Sequence, residues 1–246
     1  MNRGRINPRA SNKNRSTAGL KGFYIHIMKL YTVGTGSLGN CYLLKKENGK
    51  YIALDCGCKW KDVLIGCKFR PIDIEFALVT HSHSDHAKYA RDFEANGIEV
   101  STELVTKKIY KKGESAQVVA FEVPHDVKNL GYLIRVDGRT IVYMTDFGYC
   151  RYTFKSWNVD TWIIACNYVE APDADEANYA HVVMGHSSLD TVKDILAANK
   201  TDSMKNVILV HHSPHADVRT MVSEIQQVVG DGVNVTVARK REEIEL

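Results

Sequence analysis

The sequence has no apolar run long enough to cross a bilayer and no hydrophobic segment of signal-peptide type near its first residue. No membrane partner is expected, and cytoplasmic residence is the default expectation. Any Cys-x-x-Cys pair is also missing. The six cysteines (Cys41, Cys56, Cys58, Cys67, Cys150, Cys166) are scattered, which argues against a zinc finger or redox motif and predicts small, buried, reduced thiols. Cys56-x-Cys58 could hold a soft metal, but nothing nearby completes such a site. Acidic residues are absent from positions 1 to 21, which carry Arg3, Arg5, Arg9, Lys13, Arg15 and Lys21 and almost no large apolar side chain. Residues 1–22 therefore read as a disordered basic tail and 23–246 as one folded domain. Removing those six from the 32 Lys and Arg leaves 26 against 29 acidic residues. The body then sits at −3, without the basic excess of a protein that grips polymeric nucleic acid. The tail itself could be an RNA-touching arm.

What remains is an ordinary globular composition, 44% hydrophobic and 25% charged, on a chain long enough to bury a core. The stretch GTGSLG, Gly34 to Gly39, fits a phosphate-cradling glycine fingerprint letter for letter. That fingerprint requires a helix after the glycines to hold a pyrophosphate. Here the following segments NCYLLKK and GKYIALD read as two strands joined at Asn48-Gly49. A loop at a strand end is expected instead, with no dinucleotide.

One local event recurs along the chain. The apolar runs IEFALVT, VVAFEVP, TIVYMT and NVILV stop at His81, His125, Asp146 and His211. Each is a strand-type run with a metal-competent side chain just past its end, and active sites of layered α/β folds collect at strand carboxyl ends. The densest piece is THSHSDHAKYARDFEANG. His81 and His83 lie two apart, so an extended segment sends both to one face where they can share a metal. Asp85 and His86 fall where a helix should begin, with Ser84 as its cap and Gly97 as its stop. From there they can serve a second metal, and Asp146 is the best candidate for a shared carboxylate. Imidazoles with carboxylates and no thiolate suit Zn²⁺ first, then Mn²⁺ or Fe²⁺.

These residues resemble the metallo-β-lactamase superfamily of binuclear hydrolases, through HSHSDH (81–86), PH (124–125), TDFG (145–148), VHHS (210–213) and ALDCG (53–57). The resemblance implies an α/β fold, a four-layer αββα sandwich, over roughly residues 28 to 240. It implies two divalent metal ions, one on His81, His83 and His125, the other on Asp85, His86 and His211, with Asp146 between them and Asp55 supporting from behind. His212 is the rival of His211. Within the superfamily, GHSSLDTV (185–192) resembles ribonuclease Z, GTGSLGN and ACNYV resemble YycJ-like DNA exonucleases, and the phage anti-Pycsar cyclic-nucleotide phosphodiesterases share the same core.

The resemblance implies attack on phosphorus by a water activated between the metals and held by Asp85 and Asp146. His186 is the candidate acid for the leaving oxygen, the helix after it offers backbone N–H groups to a phosphate, and Ser187 and Ser213 are candidate hydroxyl donors. His181 is a candidate supporting or partner-contributed group. Ribonuclease Z inserts a long arm for transfer RNA between its counterparts of His125 and Asp146, and here that stretch is the short DVKNLGYLIRVDGRT. The missing arm and the acidic body favour a small nucleotide, with cyclic mononucleotides ahead of polymers. A DNA or RNA nuclease is the alternative, and a non-catalytic, metal-bearing nucleotide-binding protein is the alternative of another class. A homodimer is expected because such relatives often are.

Overall fold

The computed structural model describes residues 27–101, 109–112, 116–169, 185–214 and 216–246. The basic tail of residues 1–22 lies outside the described residues. Two sheets form the centre. The first has the order β13-β1-β2-β3-β4-β5, built from Lys29–Gly34 (β1), Cys41–Lys45 (β2), Tyr51–Leu54 (β3), Ile74–Leu78 (β4), Glu99–Ser101 (β5) and Glu243–Glu245 (β13). The second has the order β12-β11-β10-β9-β8-β7-β6, built from Ile109–Lys112 (β6), Ala116–Val123 (β7), Asn129–Val136 (β8), Arg139–Met144 (β9), Thr161–Ala165 (β10), Asn206–Val210 (β11) and Asn234–Val237 (β12).

Successive side chains of a strand leave on opposite faces, and here both faces of the first sheet are covered. Tyr42, Leu44, Ile52, Leu54, Phe76 and Leu78 enter a core shared with Ile134, Tyr143, Ile163 and Leu209 of the second sheet. The intervening Leu43, Ala53 and Ala77 enter a second cluster with Val63 of helix α1 (Trp60–Gly66) and Phe93 of α3 (Ala90–Ala95). Helices α4 (Leu189–Asn199) and α5 (Val218–Val229) send Val192, Leu196, Met221 and Ile225 into the larger core, which covers the second sheet. The result is four layers, helix, sheet, sheet, helix. Burial on both faces explains why these strands read as unbroken apolar runs rather than alternating ones.

Strands β3 and β4 are parallel, as are β9, β10 and β11, and β7 joins β9 through the antiparallel β8. Their carboxyl ends thus supply the residues at one edge of the sandwich. The six cysteines are free thiols, five of them buried. No helix among the described residues is long and apolar enough to cross a membrane.

The helix expected from Ser84 to Gly97 is instead two short pieces, α2 (Ser84–Ala87) and α3, broken at Lys88 and Tyr89. His83 occupies the cap position, and no side chain bonds the α2 N-terminus. The break has a physical cause in the strand loops it serves: Tyr89 N donates to Cys56 O at 2.9 Å, and Cys56 N donates to His86 O at 2.7 Å.

Candidate metal centre

Three of the strand-end residues adopt left-handed backbone: Asp55 (φ 59°), Asp146 (φ 50°) and His211 (φ 53°). Non-glycine residues avoid this region at a cost of about 1 to 3 kcal/mol each, so neighbouring bonds must hold them there. Asn129 Nδ2 donates to Thr145 O at 2.8 Å and Asp146 O at 2.6 Å. Asn167 Nδ2 donates to His211 O at 2.8 Å, and His211 N donates to Thr35 Oγ1 at 2.9 Å. The left-handed turn redirects the chain sharply just past each strand and aims the side chain across the sandwich edge.

The seven side chains named from the sequence meet there. His81, His83 and His125 form one group whose nitrogens lie within 4.8 Å of one another, Asp85, His86 and His211 a second, and His81, His86 and Asp146 a third between them. His86 Nε2 lies 2.9 Å from Asp146 Oδ2 and 3.3 Å from Asp85 Oδ2. His211 Nε2 lies 3.1 Å from Asp85 Oδ2 and 3.3 Å from Asp146 Oδ2. His211, not His212, joins the cluster; His212 Nδ1 instead faces Ser213 O at 3.4 Å. Asp55 sits behind, fully buried, accepting Thr80 N at 2.7 Å and meeting His86 Nδ1 at 2.7 Å and the Tyr143 hydroxyl.

Electrostatics favour metal-ready protonation states at four of these groups. Burial, with the nearby His86 charge, pushes the His81 imidazole down to about 3, and burial likewise lowers His125. Burial alone would raise Asp85 and Asp146, but hydrogen bonds and charge from His211 and His86 hold Asp85, and charge from His211 and His86 with a bond from His186 holds Asp146, below the ordinary carboxylate range. Burial would lower His86, yet Asp55, Asp146 and Asp85 outweigh it and raise its affinity for a proton. Three carboxylates thus favour a positive charge at that point. Metal ligands must be neutral imidazoles and ionised carboxylates; the shifts favour those forms at His81, His125, Asp85 and Asp146, and at His86 a bound cation would take the place of the proton. His81 Nε2 and Asp146 Oδ2 are buried without a hydrogen-bond partner, which would cost stability unless something else satisfies them. Asp146 Oδ2 is close to two imidazoles but not in hydrogen-bonding geometry with them. The donor set fits divalent cations.

Other expected residues fare differently. His186 Nδ1 lies 3.2 Å from Asp146 Oδ1, at the rim of the cluster. Ser187 is fully buried and its hydroxyl donates to Phe147 O at 3.0 Å, so it holds the loop rather than meeting a substrate. Two of the N–H groups opening α4 are also consumed, Leu189 N by Tyr168 O and Thr191 N by Ser188 Oγ, as is Ser187 N just before the helix by Asn167 Oδ1. They offer a phosphate little. Ser213 N donates to Asn167 O at 3.0 Å, which places it beside His211. His181 lies outside the described residues.

Sequence reasoning missed four supports. Asn40, directly after the glycine loop, sets its Nδ2 3.2 Å from Asp85 Oδ2 and 3.1 Å from His86 Nε2, while its Oδ1 accepts Gly36 N at 2.8 Å. Asn167 Nδ2 lies 2.9 Å from His211 Nδ1. Asn129 carries no chemical signature beyond starting a strand. Asp126 Oδ1 reaches His125 Nε2 at 3.0 Å and His83 Nε2 at 3.3 Å, and its position one residue past a candidate ligand was the available signal.

The glycine loop therefore braces Asp85 and His86. Gly57 completes the brace: its N donates to Asn40 O at 2.9 Å, and a Cβ there would stand 1.7 Å from Asp85 O. Gly57→Ala is expected to keep both sheets but displace Asp85 and His86, lowering metal affinity by about 10- to 100-fold. Titration calorimetry with Zn²⁺, alongside circular dichroism, checks this.

Residues 34–142 match a family model described as the metallo-beta-lactamase superfamily. Exodeoxyribonuclease WalJ of Streptococcus pneumoniae is 26% identical over 251 residues, covering 85% of this chain and 93% of that protein. Among solved structures, the metallo-beta-lactamase fold protein YhfI from Bacillus subtilis superposes with a TM-score of 0.68 at 16% identity, over 89% of this chain and 99% of that one. Human tRNase Z, short form, superposes with a TM-score of 0.60 at 17% identity and the same coverage. At these identities the two structures establish a shared fold.

Proposed function

Because residues 34–142 match a metallo-beta-lactamase superfamily model and the chain shares the fold of a metallo-beta-lactamase fold protein, we propose that it is a metal-dependent phosphodiesterase that removes nucleotides from the ends of DNA. The observation that carries this reading is the convergence of His81, His83, Asp85, His86, His125, Asp146 and His211 at one edge, in a chain similar along most of its length to an exodeoxyribonuclease. Two ions, zinc first, suit a set of imidazoles and carboxylates without thiolate. When bound, such ions supply a water acidified to near neutrality and positive charge for the phosphoryl oxygens.

The chain's own residues do the rest. Asp85 Oδ2 and Asp146 Oδ2 converge on His211 Nε2; both ionised, they would help hold the ions and orient an attacking water, one of them accepting the single proton that it loses on attack. Asp146 Oδ1 fixes the His186 ring through Nδ1. In its protonated form, His186 can then deliver a proton from Nε2 to the departing sugar oxygen. Asn40 and Asn167 keep Asp85 and His211 aimed at the same point.

The second reading is hydrolysis of a cyclic mononucleotide, favoured by the shortness of the segment between His125 and Asp146. There the chain forms only the β8–β9 hairpin, closed at Asp137 and Gly138, with no arm to hold a folded RNA. Zinc-loaded protein incubated in parallel with linear DNA, closed circular DNA and cyclic mononucleotides separates the two. Linear DNA should be shortened, circular DNA should survive, and a chelator should stop the reaction. Turnover of cyclic nucleotides with DNA untouched would overturn the first reading in favour of the second.

A further inference from the structure

A groove of about 710 Å³ opens beside Asp85, within the range of about 300 to 1,000 Å³ that ligand clefts occupy. The Gly34–Gly39 loop forms part of its wall. Into it come Lys59 and Lys61 from the start of α1, Lys88 from the break between α2 and α3, and Lys240 and Arg241 from the loop between β12 and β13. All five are exposed. The groove holds two carboxylates: Asp62, which takes Arg241 Nη2 at 3.3 Å, and Asp85, which faces the histidines. Among the described residues the four lysines have no carboxylate partner.

A cleft lined with one sign of charge concentrates ligands of the other. The body's balance of −3 hides this, because three stretches far apart in the chain meet at one place. Resting on the phosphodiesterase reading, we propose that the groove carries the backbone phosphates of a DNA strand flanking the scissile bond, so that the substrate of this site is the polymer. A cyclic mononucleotide has one phosphate, and the Asp85 side of the cluster would take it. Four lysines beyond that point would then have no anion to meet. A strand supplies one phosphate per nucleotide along their path. Leu38, fully exposed, and the half-buried Tyr89 line the same groove, offering apolar surface to a base or sugar.

The test is the full chain carrying Lys61→Ala, Lys88→Ala and Lys240→Ala together, one substitution from each stretch. Each lost phosphate contact should make the salt dependence of DNA binding shallower by about 0.7 to 0.9 in log–log slope. Three contacts correspond to about a 10²-fold loss at 0.1 M salt. The expected result is that loss in kcat/KM on linear DNA and in fluorescence-anisotropy binding of labelled DNA by chelator-treated protein. Hydrolysis of bis(p-nitrophenyl) phosphate, which has no flanking phosphates, should change far less. A control triple at exposed lysines outside the groove, Lys155, Lys200 and Lys205, should behave as the unsubstituted protein. DNA affinity, cleavage and salt slope all unchanged in the groove variant would overturn the proposal. Absence of any phosphodiester hydrolysis by the unsubstituted protein would instead defeat the reading it rests on, and the anisotropy would still report on the groove.

Discussion

Asp146→Ala should reduce phosphodiester hydrolysis by about 10³-fold or more, the loss of several kcal/mol of transition-state stabilisation that metal-assisted catalysis supplies. Asp146 is the carboxylate common to the whole cluster. Its Oδ2 faces His86 and His211, its Oδ1 faces His186, and its side chain groups with His81. No neighbour can substitute, because Asp85 is already committed to His211 and to the Asn40 amide. Metal content by elemental analysis should fall with the rate. Asp146→Asn is the companion variant: it keeps the shape and the backbone bonds from Asn129, so a folded protein with the same loss ties the effect to the charge. Undiminished turnover in either variant would remove Asp146 from the chemistry. A biological effect that persists after turnover is lost would point instead to a protein that binds nucleotides without cleaving them.

The strand ends were legible because two signals coincide there. An apolar run announces a strand buried on both faces, and a histidine or aspartate just past it has no reason to be apolar. His81, His125, Asp146 and His211 all carry that double mark. The supports were not legible, since Asn40, Asn129 and Asn167 act through amides that bond backbone and ring atoms from distant parts of the chain, as Asn129 does 17 residues away. Nothing in an isolated asparagine marks that use. The Ser84–Gly97 helix was misjudged because local helix propensity was weighed without the backbone bonds from Cys56 that break it. A charge sum over the chain is likewise blind to where Lys61, Lys88 and Lys240 meet. The buried serine shows the reverse error, a polar residue in a motif taken for a ligand contact when its hydroxyl closes a turn onto Phe147.

Asp55→Ala should lower stability more than any substitution at the cluster's rim. The carboxylate is fully buried and ties helix α2 to one strand from each sheet, β4 and β9. Oδ1 accepts Thr80 N at 2.7 Å and Thr80 Oγ1 at 3.0 Å, past the end of β4, while Oδ2 takes His86 Nδ1 from α2 and the Tyr143 hydroxyl from β9. Alanine leaves those donors buried and unpaired. Breaking such a pair costs about 3 to 5 kcal/mol, and each kcal/mol lowers the melting temperature of a domain this size by about 2 to 4 °C. A drop of about 6 to 20 °C is therefore expected by differential scanning calorimetry. Metal affinity should fall as well, by about 10- to 100-fold, because His86 loses the partner that fixes its ring. Tyr143→Phe removes a single donor from the same carboxylate and should cost far less, about 1 kcal/mol. If the two variants melt together, Asp55 is no keystone and the orientation of His86 must come from Asn40 and Asp85 instead.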